Sequence, residues 1–233
     1  MRSNATALTT LAMTQSFEPE LYQGQFGEFT LTPDDRKGVV IYRAGLLVAA
    51  LCFALGVGLA LWHADKPVVL QALTFLYTGF CLALGVSLLT IHIYMAPLHR
   101  VLQMFWGVGC LAAVAIGHLD PEPFALTVYN QPLSILGIGF TFAALTGIFF
   151  KEAVCFNRLE TKFLTPIVPL LLLGHMVGWL PLPLEQGLLA VWALLFLVFA
   201  GRKVIQPIPP DIGDKSVFAY LEQQRLTKAK AAS

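Results

Sequence analysis

Charge is scarce in this chain. Asp, Glu, Lys and Arg make up 12% of its residues against 57% hydrophobic, with a mean hydropathy of +0.71, about half the charged fraction of an ordinary soluble domain. Hydrocarbon is therefore the implied solvent, and a net charge of +1 gives no basic surface for nucleic acid. Carboxylates are missing from the interiors of the apolar runs: Asp120, Glu122 and Glu185 fall at one boundary, Glu152 and Glu160 at the other. Ion-driven transporters usually carry such groups within their spans. Of the four cysteines, Cys52, Cys81 and Cys110 lie in apolar runs and Cys155 in a loop. With no close-spaced pair to suggest zinc or a dithiol, they read as packing residues. Asn157 and Arg158 cannot take a proton from Cys155, and no serine-based, zinc-helix, phosphate-loop or paired-carboxylate motif is present. No catalytic residue and no metal site are predicted. Residues 1–17, dominated by Ser, Thr, Asn and Ala, lack the continuous apolar centre of a signal sequence.

What the chain does have is six long apolar runs, near 39–62, 68–94, 98–117, 132–150, 163–180 and 184–200. A hydrocarbon core about 30 Å thick needs roughly 20 apolar residues at about 1.5 Å each. The runs are continuously apolar rather than alternating, so they predict helices and not barrel strands. Every Lys and Arg except Lys66 falls before the first run, at its start, or after an even-numbered run, Arg100 being the one that follows the second. Positive loops stay cytoplasmic, which puts both termini there. The expected architecture is all-α: an N-terminal cytoplasmic segment over 1–32, a six-helix transmembrane domain over 33–203, and a cytoplasmic tail over 204–233.

Thr32, Pro33, Asp34 and Asp35 form a helix start, with a capping hydroxyl, proline at the first position and acid at the positive dipole end. Before it, Tyr22 to Thr30 mixes aromatics with Gly24 and Gly27 and suits a small cytoplasmic hairpin or an interfacial strand. After the last run, Pro207, Pro209 and Pro210 interrupt the helix, and Val217, Phe218, Leu221 and Leu226 are spaced for a C-terminal amphipathic helix. Gly109 with Ala113, Ala143 with Gly147 and similar pairs recur at four-residue spacing, which favours close helix packing within the bundle or against another membrane protein.

Two groups of residues carry candidate chemistry. His63, His118 and His175 fall toward the outer ends of the first, third and fifth runs, and His92 toward the cytoplasm; imidazoles on two helices are a haem-binding pattern, though no cofactor is predicted from spacing alone. The stretch Lys151-Glu-Ala-Val-Cys-Phe-Asn-Arg-Leu-Glu-Thr-Lys162 offers Lys151, Glu152, Asn157, Arg158, Glu160 and Lys162 to a lipid headgroup or a partner protein, or as a local charge network. That stretch, with Tyr22-Gln-Gly-Gln-Phe-Gly-Glu-Phe-Thr and Val40-Ile-Tyr-Arg-Ala-Gly-Leu, resembles the uncharacterised integral membrane proteins of cyanobacteria grouped as domain of unknown function 2301, over about 21–205. The resemblance implies a thylakoid or plasma membrane protein and transfers no activity.

The functional expectation is a non-enzymatic assembly, stabilising or interaction factor whose partners are membrane lipids and another membrane protein complex. A small transporter or channel is the first alternative, drawing on Pro166, Pro169 and the apolar 124–129 segment as a lid. A haem- or quinone-binding protein using the histidines is the second.

Overall fold

The computed structural model describes residues 20–93 and 95–231; the reading of 1–17 lies outside them. The order is β1 (Leu21–Gln23), β2 (Glu28–Thr30), α1 (Pro33–His63), α2 (Pro67–Thr90), α3 (Ala96–Leu119), α4 (Phe124–Asn130), a 3-10 turn (Pro132–Ser134), α5 (Ile135–Phe156), α6 (Leu159–Met176), α7 (Leu182–Ile205), α8 (Pro209–Ile212) and α9 (Ser216–Ala231). Among the described residues, the chain divides into two compact units, one of residues 20–36 with 209–231 and one within 37–208.

In the first unit the predicted hairpin is present, antiparallel with Leu21 opposite Thr30 and Tyr22 opposite Phe29. Thr32 caps α1: the Asp35 N–H donates to its Oγ1 at 3.2 Å while the Asp35 carboxylate takes the Thr32 N–H at 2.8 Å. This reciprocal box satisfies two donors otherwise orphaned at a helix start. Lys215 Nζ reaches the same carboxylate at 2.7 Å. The hairpin turn rests on the start of α9. There Asp214 accepts the Gln25 N–H at 2.6 Å, Ser216 Oγ accepts the Phe26 N–H at 3.0 Å, and the Phe26 and Tyr220 rings stack at 4.0 Å. Gly24 is required at this contact, since a Cβ there would lie 2.2 Å from Asp214 Oδ1. The tail helix forms as expected, but its apolar residues do not share a face, and Phe218, Leu221 and Leu226 stay exposed. At about 100° per residue Leu226 points roughly opposite Val217.

The second unit is the helical bundle. Five of its helices, α1, α2, α3, α5 with its preceding turn, and α7, are long and apolar enough to cross a membrane. The expected connector at 151–162 is mostly helix: α5 runs on through Lys151 to Phe156, and Asn157 ends it in the left-handed conformation with φ 52°, which asparagine tolerates better than most residues. α6 packs between α5 and α7. Its end is tied to the start of α7, and its start to the end of α7, so the two run antiparallel over the same depth. Pro166 and Pro169 lie on its exposed side.

Aromatic rings hold the centre. Phe53 of α1 lies 4.5 Å from Trp192 of α7, Phe80 of α2 5.6 Å from Phe142 of α5, and Phe149 5.3 Å from Phe196. Close approach does the rest. A Cβ on Gly109 of α3 would stand 2.1 Å from Thr141 Oγ1 and 2.4 Å from its backbone nitrogen, so the small-residue spacing serves packing inside the bundle at this crossing. The span hydroxyls behave as back-bonders: Thr78, Thr90, Thr146 and Thr165 each donate to the carbonyl four residues earlier, and Ser87 donates to the Tyr42 carbonyl at 3.0 Å.

Candidate functional site

The most charged part of the bundle lies where α5 and α7 end and α6 begins, beside the early turns of α1. Glu152 and Lys203 have no exposed side-chain surface and pair at 2.7 Å. Lys151 Nζ approaches the other oxygen of Glu152 at 2.9 Å, and the Tyr42 hydroxyl donates to that oxygen at 3.4 Å. One turn on, the buried Glu160 takes Arg202 at 2.9 Å and faces Arg158 at 3.6 Å. Gln206 Oε1 bridges the halves by accepting from Arg158 at 2.6 Å and from Lys203 at 3.4 Å. Arg43 donates to the carbonyls of Gln206 and Pro207 just past α7, the negative end of that helix dipole. Phe156 supplies a ring face to Lys203 at 4.2 Å and to Lys151 at 5.3 Å.

Four of the six loop residues singled out from sequence, Lys151, Glu152, Arg158 and Glu160, therefore meet in one network. Asn157 instead forms the turn, and Lys162 stands exposed outside it. Sequence reasoning placed Glu152 and Glu160 at a solvated boundary; both are buried, at 0% and 5% exposure, because α5 continues past the expected boundary and carries Glu152 inward. It missed Tyr42, Arg43, Arg202, Lys203 and Gln206. The available signal was that Lys203 near the end of α7 and Glu152 near the end of α5 are opposite charges at equal depth. A buried pair of this kind holds helix ends together only while its partners stay in place.

The histidines lie apart in function. His63 is exposed at the end of α1, and His92 follows α2. His118 Nδ1 bonds the Val114 carbonyl of its own helix at 2.8 Å. His175 holds Glu185 through Nδ1 at 2.8 Å and the Tyr129 carbonyl through Nε2 at 3.1 Å, which clasps α6 to α7 and to the segment before α5. Among the described residues, no group of three or more His, Cys, Asp or Glu is placed to hold a metal.

Two clefts open in the half of the bundle away from the charge network. One, of about 210 Å³, lies among α1, α2, α4 and α5; the other, of about 410 Å³, lies between α2 and α3, and Phe124 of α4 borders both. The 124–130 segment, expected as a loop, is this short helix. No Asp, Glu, Lys or Arg lines either cleft.

No curated protein and no solved structure matches the chain. A family model matches residues 86–220. That stretch takes in 151–162 and extends into the tail, whereas the segments at 22–30 and 40–46 fall before it. The match is shorter at the front and longer at the back than the resemblance over 21–205. The model describes an uncharacterized integral membrane protein, DUF2301, and since it spans more than half of the chain, the chain belongs to that family.

Proposed function

We propose that this protein is a six-span membrane bundle acting as a non-enzymatic assembly, stabilising or interaction factor for another membrane complex. The carrying observation is the uncovered side of α3. Met104, Val108, Leu111, Ala115 and His118 are exposed along it, and their alternating spacing of four and three residues is that of a helix-packing seam. Gly107 and Gly117 have open space where a side chain would stand, so a neighbouring backbone can approach. The sixth span is α6. Its proline and charged first turn lower its hydropathy, but its end-to-end ties to α7 support a full crossing. Two features weigh against the transporter reading: the clefts lack charged walls, and both α6 prolines face outward. For the bilayer itself, the resemblance favours a cyanobacterial thylakoid or plasma membrane.

Gentle solubilisation tests the proposal. Tagged protein is expected to migrate with a larger complex, and Val108→Trp with Leu111→Trp to release it while the bundle stays folded. Lys162→Glu is the usable charge reversal at the cytoplasmic end, since reversing Arg158 would break internal pairs. A lone particle of 25.5 kDa plus detergent would overturn the reading.

A further inference from the structure

Three helices bring four polar side chains together at mid-depth in the bundle: Tyr77 and Cys81 from α2, Cys110 from α3 and Thr141 from α5. Cys81 and Cys110 are neighbours across the α2–α3 contact, lining one groove together with Tyr77. The Tyr77 hydroxyl also donates to Thr141 Oγ1 at 3.3 Å. Twenty-eight residues intervene between the cysteines, so no local motif announces the pair. Gly109 makes it possible, because the close approach it allows between α3 and Thr141 sets the adjacent Cys110 against Cys81.

Two neighbouring thiols alone could be packing. What distinguishes this pair is access. Cys81 and Cys110 both line the α2–α3 groove of about 410 Å³, on the flank of two helices apolar enough to span a membrane. Trp106 forms its wall, fixed by an indole N–H bond to the Cys81 carbonyl at 2.8 Å. A reagent reaching these thiols comes through hydrocarbon and must be apolar. To leave no charge behind in apolar surroundings, it must take electrons and protons together.

We infer that Cys81 and Cys110 are a redox-active dithiol and that the groove beside them seats a lipid-soluble quinone. In the reaction both S–H bonds break and one S–S bond forms. The two electrons and two protons pass to the quinone, whose carbonyl oxygens become the hydroxyls of a hydroquinone. Sulfur is oxidised, the quinone is reduced, and every species is neutral before and after. The chemistry is stoichiometric, so it gives an interaction factor a means of registering the oxidation state of the membrane.

The test uses the full chain in proteoliposomes, without oxygen, incubated with a short-tailed benzoquinone. Free thiols are then counted by maleimide labelling after denaturation. The four free cysteines are expected to fall to two, with a Cys81–Cys110 disulfide peptide in the digest and an equal loss of oxidised quinone absorbance. Cys81→Ser and Cys110→Ser should each abolish this, and the Cys52→Ser, Cys155→Ser double variant should not. Ala113→Phe fills the groove but keeps both thiols: oxidation by quinone should be lost while oxidation by diamide, a smaller neutral oxidant, persists. Thiols that stay free with quinone, that yield to copper phenanthroline or peroxide alone, or that quinone oxidises equally fast in Ala113→Phe would overturn the inference.

Discussion

Lys203 is the residue on which the charged end of the bundle turns. It is wholly buried, pairs with Glu152 at 2.7 Å and lies 4.2 Å from the Phe156 ring centre. Lys203→Met should leave Glu152 buried beside Lys151 and cost about 3 kcal/mol, at the lower end for a broken buried pair. Lys203→Met combined with Glu152→Gln should recover most of that loss, because the buried charge goes with its partner. Thermal unfolding in detergent reads both. Equal Tm values for Lys203→Met and the parent would show that the pair contributes nothing. Sequence made the 151–160 half of this network visible but not the half supplied by α1 and α7. Arg202 and Lys203 had a sufficient topogenic explanation, and nothing along the chain says which way a side chain turns on its helix.

Elements were more legible than the contacts between them. Every apolar run became a helix, the Thr32 cap and the hairpin were readable from local chemistry, and only the ends moved. Lys151 to Phe156 looked like loop because charge was taken as the membrane boundary, whereas buried partners let α5 carry charge inward. The seat of the hairpin on α9 was not legible, since Gln25 and Asp214 are remote in sequence. That seat is pH-dependent. The Gln25 N–H first, and then the Ser216 hydroxyl and N–H, hold the Asp214 carboxyl below the usual carboxylate range. Its contribution is therefore complete above the ordinary carboxylate pKa and is lost as pH falls through the lower, folded value. Hydrogen-exchange protection at Gln25 should decline on acidification in the parent and be weaker but flat with pH in Asp214→Asn. Identical profiles would remove the carboxylate from the account.

At the scale of the molecule, six crossings put both termini on one side and five would separate them. A reporter fused after Gly178 should read the outer side and one fused after Ile205 the cytoplasmic side. The inverted pair, cytoplasmic after Gly178 and outer after Ile205, would place α6 on the surface instead of across the bilayer. The same helix carries a consequence for biogenesis. Between α5 and α6 stand Asn157 and Arg158 alone, too little chain to wait outside while one helix partitions and the other follows. With α6 as the proposed sixth span, the two would enter the translocon's lateral gate as a preformed hairpin, the more apolar α5 drawing in a partner whose prolines and charged first turn make it a poor insertion signal by itself. A ribosome stalled with α6 still in its exit tunnel would then hold α5 uncommitted, which would make membrane integration of this half of the protein a single late event.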